Sequence, residues 1–258
     1  MQSKAVSNTI SEVLLELSTL PSLSNFSLGG GTNLALRYNH RISEDIDLFC
    51  PGIIGKNGFK KILDELDDIY KGKIKGIYLT ETDDDQFIFL RVFIFKKNDS
   101  VKLEFIQNTK NLLDIEIHNG IRLLSELDIG VMKLLALSTR QAKKDLYDLS
   151  YITDRIELID LYRALENKEK KYNLPIHRTI FDLNKSVSPT QNLNTLLFDN
   201  VRKYSFDDFK PGHSTDVLKL IEGSSNFIST KFNWKIRVKK LYEQLGQEFP
   251  KRSRGRRL

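Results

Sequence analysis

The stretch from Gly30 to Phe49, GGTNLALRYNHRISEDIDLF, constrains the fold of this chain more than any other. A glycine pair and Thr32 open it. After the thirteen residues from Thr32 to Glu44 come Asp45 and Asp47, with Ile46, Leu48 and Phe49 marking an apolar strand end. Side chains alternate sides along a strand, so a D-x-D pair presents both carboxylates on one face. Gly30 and Gly31 have no side chain to hold off a close ligand, and Thr32 is placed to open a short helix whose first N–H groups lack partners. A glycine turn, a short helix over Thr32 to Asn39 and a strand over Ile46 to Cys50 is the predicted unit.

Its chemistry follows from charge. Two carboxylates so close repel, and a hard divalent cation such as Mg²⁺, which takes carboxylate and phosphate oxygens as ligands, relieves the repulsion. Free N–H groups at a helix start donate to phosphate oxygens. A lone glycine pair is more often a turn and a lone D-x-D more often solvated charge, but at this spacing the two together suit chemistry on a nucleoside triphosphate.

His40, Arg41, Ser43, Asp45, Asp47, Leu48 and Phe49 carry a resemblance to the nucleotidyltransferases of the AbiEii/AbiGii toxin family, whose first motif reads G-G-T followed by H-R-x-S-x-D-x-D-L-F. The segment Val101 to Ile106 (VKLEFI) resembles that family's strand with a third carboxylate, and Leu127 to Leu149 its pair of basic helical motifs; the likeness spans Phe26 to Tyr151. It implies an α/β (α+β) fold, with a polymerase-β-like core around a mixed central sheet and a mainly helical C-terminal region. Residues 1–154 would form the catalytic domain and 155–258 the helical one. The implied activity is magnesium-dependent transfer of a nucleoside monophosphate from an NTP to a hydroxyl. The implied role is that of the toxin in a bacterial toxin–antitoxin or abortive-infection pair, with the 3′ end of tRNA as acceptor and a cognate antitoxin as partner. Two rivals stay open: a small-molecule (aminoglycoside-like) or protein acceptor, and a degenerate fold kept as a binding module. The presence of Asp45, Asp47, Glu104 and Lys133 argues against the second rival.

Within this frame Asp45, Asp47 and Glu104 are the expected metal ligands and, with Lys133 and Asp145, the expected catalytic set. Glu104 lies between Leu103 and Phe105, so in a strand it faces away from both; on residues alone it reads as a surface acid paired with Lys102. Two magnesium ions about 3.5–4 Å apart would neutralise the triphosphate and stabilise departing pyrophosphate. Lys133, Arg140 and Lys144 are spaced by seven and four, which sets three cations on one face of a continuous helix or of two helices meeting near Arg140. Gly30, Gly31, Thr32, Arg41 and Ser43 complete the expected nucleotide contacts. Arg41 either forks onto a phosphate or braces Asp45, and Ser43 either bonds a phosphate or caps the turn. The resemblance makes Asp145 functional, as a base or an orienter of the cations, and leaves Asp148 structural. His40 reads as a packing residue.

Bulk properties narrow the class. A composition 40% hydrophobic and 29% charged describes a globular protein. No apolar run is long enough for a membrane helix, and MQSKAVSNTISEVLLEL reads as an amphipathic helix, so a cytoplasmic location is expected. Cys50 is the only cysteine, which excludes an intramolecular disulfide. Lys251, Arg252, Arg254, Arg256 and Arg257 supply five of the six excess positive charges, leaving residues 1–250 at +1. That tail is either disordered or a grip on a phosphate backbone. In KFNWKIRVKKLYEQL, Trp234 and Tyr242 among five cations fit RNA stacking, and Trp234, Val238 and Leu241 fit an amphipathic helix docked on the core; both readings stay open. Further expectations are a helix over Phe59 to Tyr70 burying Leu63, Leu66 and Ile69, strands at Ile74 to Thr80, Phe87 to Phe95 and Val101 to Ile106, and helix caps at Ser125 and Asp128. Oligomeric state is not legible.

Overall fold

The computed structural model describes residues 4–80, 82–184, 186–198 and 217–251. The basic tail beyond Lys251, Glu81 of the acidic turn, and Pro211, Gly212 and His213 lie outside those residues.

A mixed seven-stranded sheet organises the chain, in the order β3-β4-β5-β2-β1-β7-β6. The strands are β1 (Ser27–Leu28), β2 (Asp45–Phe49), β3 (Ile74–Leu79), β4 (Phe89–Lys96), β5 (Asp99–Ile106), β6 (Glu116–His118) and β7 (Ile121–Leu123). Central β2 runs parallel to β5 and antiparallel to β1; β4 and β5 form a hairpin with Lys96 opposite Asp99. Its turn residue Lys97 has φ 57, the left-handed value a two-residue hairpin loop demands. Strands β1, β6 and β7 are only two or three residues long, too short to leave a period in the sequence, and no expectation covered them.

Among the described residues seven α-helices accompany the sheet: α1 (Asn8–Ser18), α2 (Gly30–Tyr38), α3 (Gly55–Tyr70), α4 (Glu126–Arg140), α5 (Lys143–Ile152), α6 (Leu158–Lys171) and α7 (Phe227–Gln244). Ser7 starts α1 by accepting a hydrogen bond from the Ile10 N–H at 3.2 Å, and Ile10, Val13, Leu14 and Leu17 form its buried stripe. On α3 the buried face is Phe59, Ile62, Leu66 and Tyr70, while Ile69 is 41% exposed. The stripe is thus rotated from the expected one, because a spacing of three and four from Phe59 fits the sheet better than one anchored on Leu63.

The two sheet faces differ in chemistry. Ile46 and Leu48 of β2, Leu90, Val92 and Ile94 of β4, and Leu103 and Phe105 of β5 share a core with α1 and α3. Their neighbours one residue away point to the opposite face, where Asp45, Asp47, Arg91, Lys102 and Glu104 lie in register across three strands. Two residues further along that polar face, Phe49 and Ile106 turn apolar and join a second core built by α4, α5, α6 and α7. The charged cluster therefore sits at the margin of the helical layer.

Ser125 caps α4 as expected, its hydroxyl accepting from the Asp128 N–H at 3.0 Å. Asp128 is no cap: its buried carboxylate accepts from the N–H groups of Leu112 and Leu113, tying the β5–β6 loop to α4. Trp234 of α7 is buried, donating its indole N–H to the Leu196 carbonyl at 2.9 Å, and Tyr242 is buried beside it. The docking reading of α7 replaces the RNA-stacking one, since neither ring presents a face to solvent. The second core runs from Leu134 and Leu149 through Leu158 to Val238, so it crosses residue 154. Cys50 is buried. No helix among the described residues is long and apolar enough to cross a membrane.

Candidate active site

Asp45 and Asp47 project from β2 on the face expected, and the parallel register sets Lys102 beside Asp45 and Glu104 beside Asp47. Burial first, then the Glu104 charge, push the Asp47 carboxyl up to about 7. No described residue offers the Asp47 carboxylate a hydrogen bond or a close ion pair, and the charges of Lys102 and Lys133 offset burial and the Glu104 repulsion only in part. Glu104, almost wholly buried, is held by Arg91, whose Nε and Nη2 each lie 2.7 Å from Oε1. Lys102 reaches between the strands to 3.3 Å from Asp45 Oδ2 and 3.5 Å from Glu104 Oε1. The surface-acid reading of Glu104 fails on burial, although its pairing with Lys102 is present.

The glycines meet these side chains from above. Helix α2 begins at Gly30 with no side chain capping it, so its first N–H groups have no side-chain acceptor from the cap. Gly30 has φ +60, and a Cβ there would stand 2.0 Å from Asp47 Oδ2; one at Gly31 would stand 2.2 Å from Arg41 Nη2. Both positions need glycine for close approach, and Gly30 for its backbone as well. Thr32 donates to Ser43 Oγ at 2.8 Å or to the Asp45 carbonyl, pinning the helix start to the strand start. Ser43 is in this way part of the turn that aims β2.

The basic residues form a second, buried cluster. Arg41 pairs with Asp148, Nε to Oδ1 at 2.6 Å and Nη2 to Oδ2 at 2.7 Å, and does not brace Asp45. Lys133 lies 2.9 Å from Asp145 Oδ1 and 2.8 Å from Asp148 Oδ2. Arg140 closes on Asp145 through Nε at 2.5 Å and Nη2 at 2.8 Å. Burial works against both carboxylates' charge, but Arg140 and Lys133 hold Asp145 below the ordinary range, and Arg41 and Lys133 hold Asp148 well below it. Burial likewise opposes the Lys133 ammonium, and Asp145 with Asp148 outweighs it, keeping Lys133 charged. His40 Nε2 is 2.8 Å from Asp148 Oδ1 and its ring is stacked on Tyr147; burial depresses its pKa despite Asp148, so the ring is neutral.

Two helices carry these cations. Helix α4 ends at Arg140, Gln141 takes a left-handed φ of 51, and α5 restarts at Lys143. Lys144, half-buried, stands within electrostatic reach of Lys133. It lies within electrostatic reach of Asp45, Glu44 and Arg41, and burial followed by Arg41 lowers its pKa. Of the three expected cations, Lys133 and Arg140 pair with Asp145, and Lys144 lies within electrostatic reach of Asp45. Sequence reasoning assigned no role to Arg91, although a lone charge in an otherwise apolar strand was a signal, and it read Lys102 only as a partner of Glu104.

For a divalent cation, Asp45 and Asp47 are suitable: two hard oxygen donors share a face, and at Asp47 the nearby Lys102 and Lys133 charges relieve the repulsion only in part. Glu104 is in register beside them but committed to Arg91 and Lys102. Among the described residues no three His, Cys, Asp or Glu side chains stand as a ready-made metal cage.

Residues 12–219 match the family described as nucleotidyl transferase AbiEii toxin of type IV toxin–antitoxin systems. The chain is 27% identical over 205 residues to an uncharacterized protein of Aquifex aeolicus, a match covering 78% of this chain and 86% of that one. Among solved structures it is similar to MenT4, a nucleotidyltransferase toxin of Mycobacterium tuberculosis, at 20% identity and a TM-score of 0.48, covering 92% of this chain and 84% of the other.

Proposed function

The chain belongs to the AbiEii family of nucleotidyltransferase toxins of type IV toxin–antitoxin systems, and from that premise we propose that it transfers a nucleoside monophosphate from an NTP to a hydroxyl at the junction of β2 and α2. The observation that carries this reading is the Asp47 carboxylate, unpartnered among the described residues and seated against Gly30 at the uncapped start of α2. A triphosphate entering there meets backbone N–H groups on one side and the acid pair on the other. Magnesium bound at Asp45 and Asp47 would neutralise the phosphates and polarise the reacting phosphorus. In the transfer, the acceptor hydroxyl gives up its proton to solvent and its oxygen forms a bond to the α-phosphorus, while the bond from that phosphorus to the oxygen bridging to the β-phosphate breaks and pyrophosphate leaves.

The chain's own residues divide the remaining work. Lys144 is the cation placed for the triphosphate, given its position beside Glu44 and Asp45. Asp145 is an orienter rather than a proton acceptor: fully buried and held ionised by Arg140 and Lys133, it fixes those two cations behind the site. Arg41 acts in the same way through Asp148, setting the loop that precedes β2. Every residue assigned to chemistry lies in 1–154, and we assign 155–258 to buttressing α4 and α5.

Family likeness puts forward the 3′ end of tRNA as acceptor, a cognate antitoxin as partner and the cytoplasm as location. The test is incubation of the purified protein with Mg²⁺, total tRNA and each of the four NTPs labelled at the α-phosphate. The expected result is label on RNA with release of pyrophosphate, abolished by Asp47→Ala. Label appearing on a small molecule or on protein would replace tRNA with that acceptor, and no label from any NTP would overturn the transfer itself.

A further inference from the structure

The acids on the polar sheet face are accompanied by two cations of the chain's own. Lys102, on β5 directly across from Asp45, inserts its ammonium between Asp45 and Glu104 at 3.3 and 3.5 Å, with only 11% of its side chain exposed. Burial works against this charge, but Glu104 and Asp45 outweigh it. Arg91, across from Glu104 on the other side, adds a second fixed charge to that carboxylate. An ion bridging Asp45 and Glu104 would need their oxygens at about 2.0–2.1 Å and would occupy the space the ammonium fills. Asp47, by contrast, has a carboxylate that makes no hydrogen bond or close ion pair with the described residues, and Lys102 and Lys133 act on it only from a distance. Two cations against three carboxylates leave this face one negative charge in excess, where three bare acids would leave three and call for two divalent ions.

We propose that Lys102 takes the place of one of the two divalent ions of a two-metal site, so that the loaded enzyme holds a single ion, at Asp45 and Asp47. The inference rests on the metal–nucleotide reading of the site given above. Glu104 is then a seat for Lys102 and Arg91 and a positioning residue, ligating no metal. Lys102 differs from an ordinary ion-pair partner in one measurable respect: its removal should change how many ions bind, not only how well the protein folds.

Manganese reports the count directly. The full chain is equilibrated with Mn²⁺ and tripolyphosphate, a probe independent of the nucleotide base, bound metal is counted by equilibrium dialysis, and the electron paramagnetic resonance spectrum is recorded. Ions about 3.5–4 Å apart couple magnetically, and a lone ion does not. Wild type and Lys102→Arg are expected to hold one uncoupled ion per chain; Lys102→Gln and Lys102→Met, with native far-ultraviolet circular dichroism, are expected to hold two that couple. A coupled pair in wild type overturns the proposal and leaves the acid-pair site standing. Folded Gln and Met variants that still hold one ion overturn it as well. No bound manganese in any of the four removes the metal site and this inference with it.

Discussion

Replacing Asp148 by Asn tests the buried ion cluster behind the site. Asp148 is fully buried and receives Arg41 at 2.6 and 2.7 Å, Lys133 at 2.8 Å and His40 at 2.8 Å. The Asn side chain nearly matches Asp in shape, so the change removes charge with little loss of packing. It also turns one acceptor into a donor aimed at donors. Lys133 keeps Asp145, but Arg41 loses its charged partner and keeps only neutral acceptors, the remaining amide oxygen and the Ile42 carbonyl at 3.1 Å. Leaving one member of a buried pair uncompensated costs about 3–5 kcal/mol. For a chain of this size that lowers Tm by roughly 6–20 °C. Urea unfolding followed by circular dichroism gives the free energy, and the pH dependence supplies a sign. The folded-state pKa of Asp148 lies well below its unfolded value, so its contribution is fully present above about pH 4 and fades as pH falls through the folded pKa. The gap between wild type and variant should therefore be constant from neutral pH to about pH 5 and narrow below about pH 4. Adding Arg41→Met should restore part of the loss, because the orphaned guanidinium is then gone. A variant melting within about 2 °C of wild type at pH 7 would refute the uncompensated-charge argument.

Asp47→Asn should abolish nucleotidyl transfer yet raise the metal-free Tm at pH 8 and leave it unchanged near pH 4, because an acid raised to about 7 destabilises the fold only where it must ionise; Mg²⁺ should raise the Tm of wild type alone, and a lower metal-free Tm at pH 8 would contradict the repulsion. Gly30→Ala places a methyl group 2.0 Å from Asp47 Oδ2 at a φ of +60, so activity should fall by more than about tenfold with a stability loss of about 1–2 kcal/mol from the left-handed backbone alone; unaltered turnover would mean that Asp47 does not need its present position. Lys144→Ala should weaken triphosphate affinity with Tm preserved, and Lys133→Ala should lower Tm first, since it strips two buried carboxylates of a partner; nucleotide titration alongside melting curves separates the two, and the opposite pattern would return the phosphate role to Lys133. Deleting residues 251–258 should make RNA binding less steep in salt, by about 0.7 in log–log slope for each phosphate of a single strand that the tail neutralises, and identical slopes would mark the tail as a bystander.

The glycine pair, the D-x-D and the apolar residues between and beyond the acids were enough to place Asp45 and Asp47 on one strand face, because period-two alternation is a local property of the backbone. The same rule set Glu104 opposite Leu103 and Phe105. The helices of the first half were legible from spacing, although the buried face of α3 was not, since rotation about a helix axis is decided by the sheet it packs on. What the sequence left undecided was the pairing of charges. Arg41, Lys133, Arg140, Asp145 and Asp148 were all visible as basic and acidic residues, yet which carboxylate each cation meets depends on α5 crossing α4 after the left-handed Gln141 and on the loop that carries Arg41 beneath them. Likewise, Lys102 and Arg91 become neighbours of the acids only through the registers of β2, β5 and β4, which join residues more than 50 positions apart between β2 and β5. Local alternation tells which side a group faces. Only the assembled sheet and helices tell which opposite charge waits there, because Coulomb interaction depends on distance in space and sequence sets that distance only within an element.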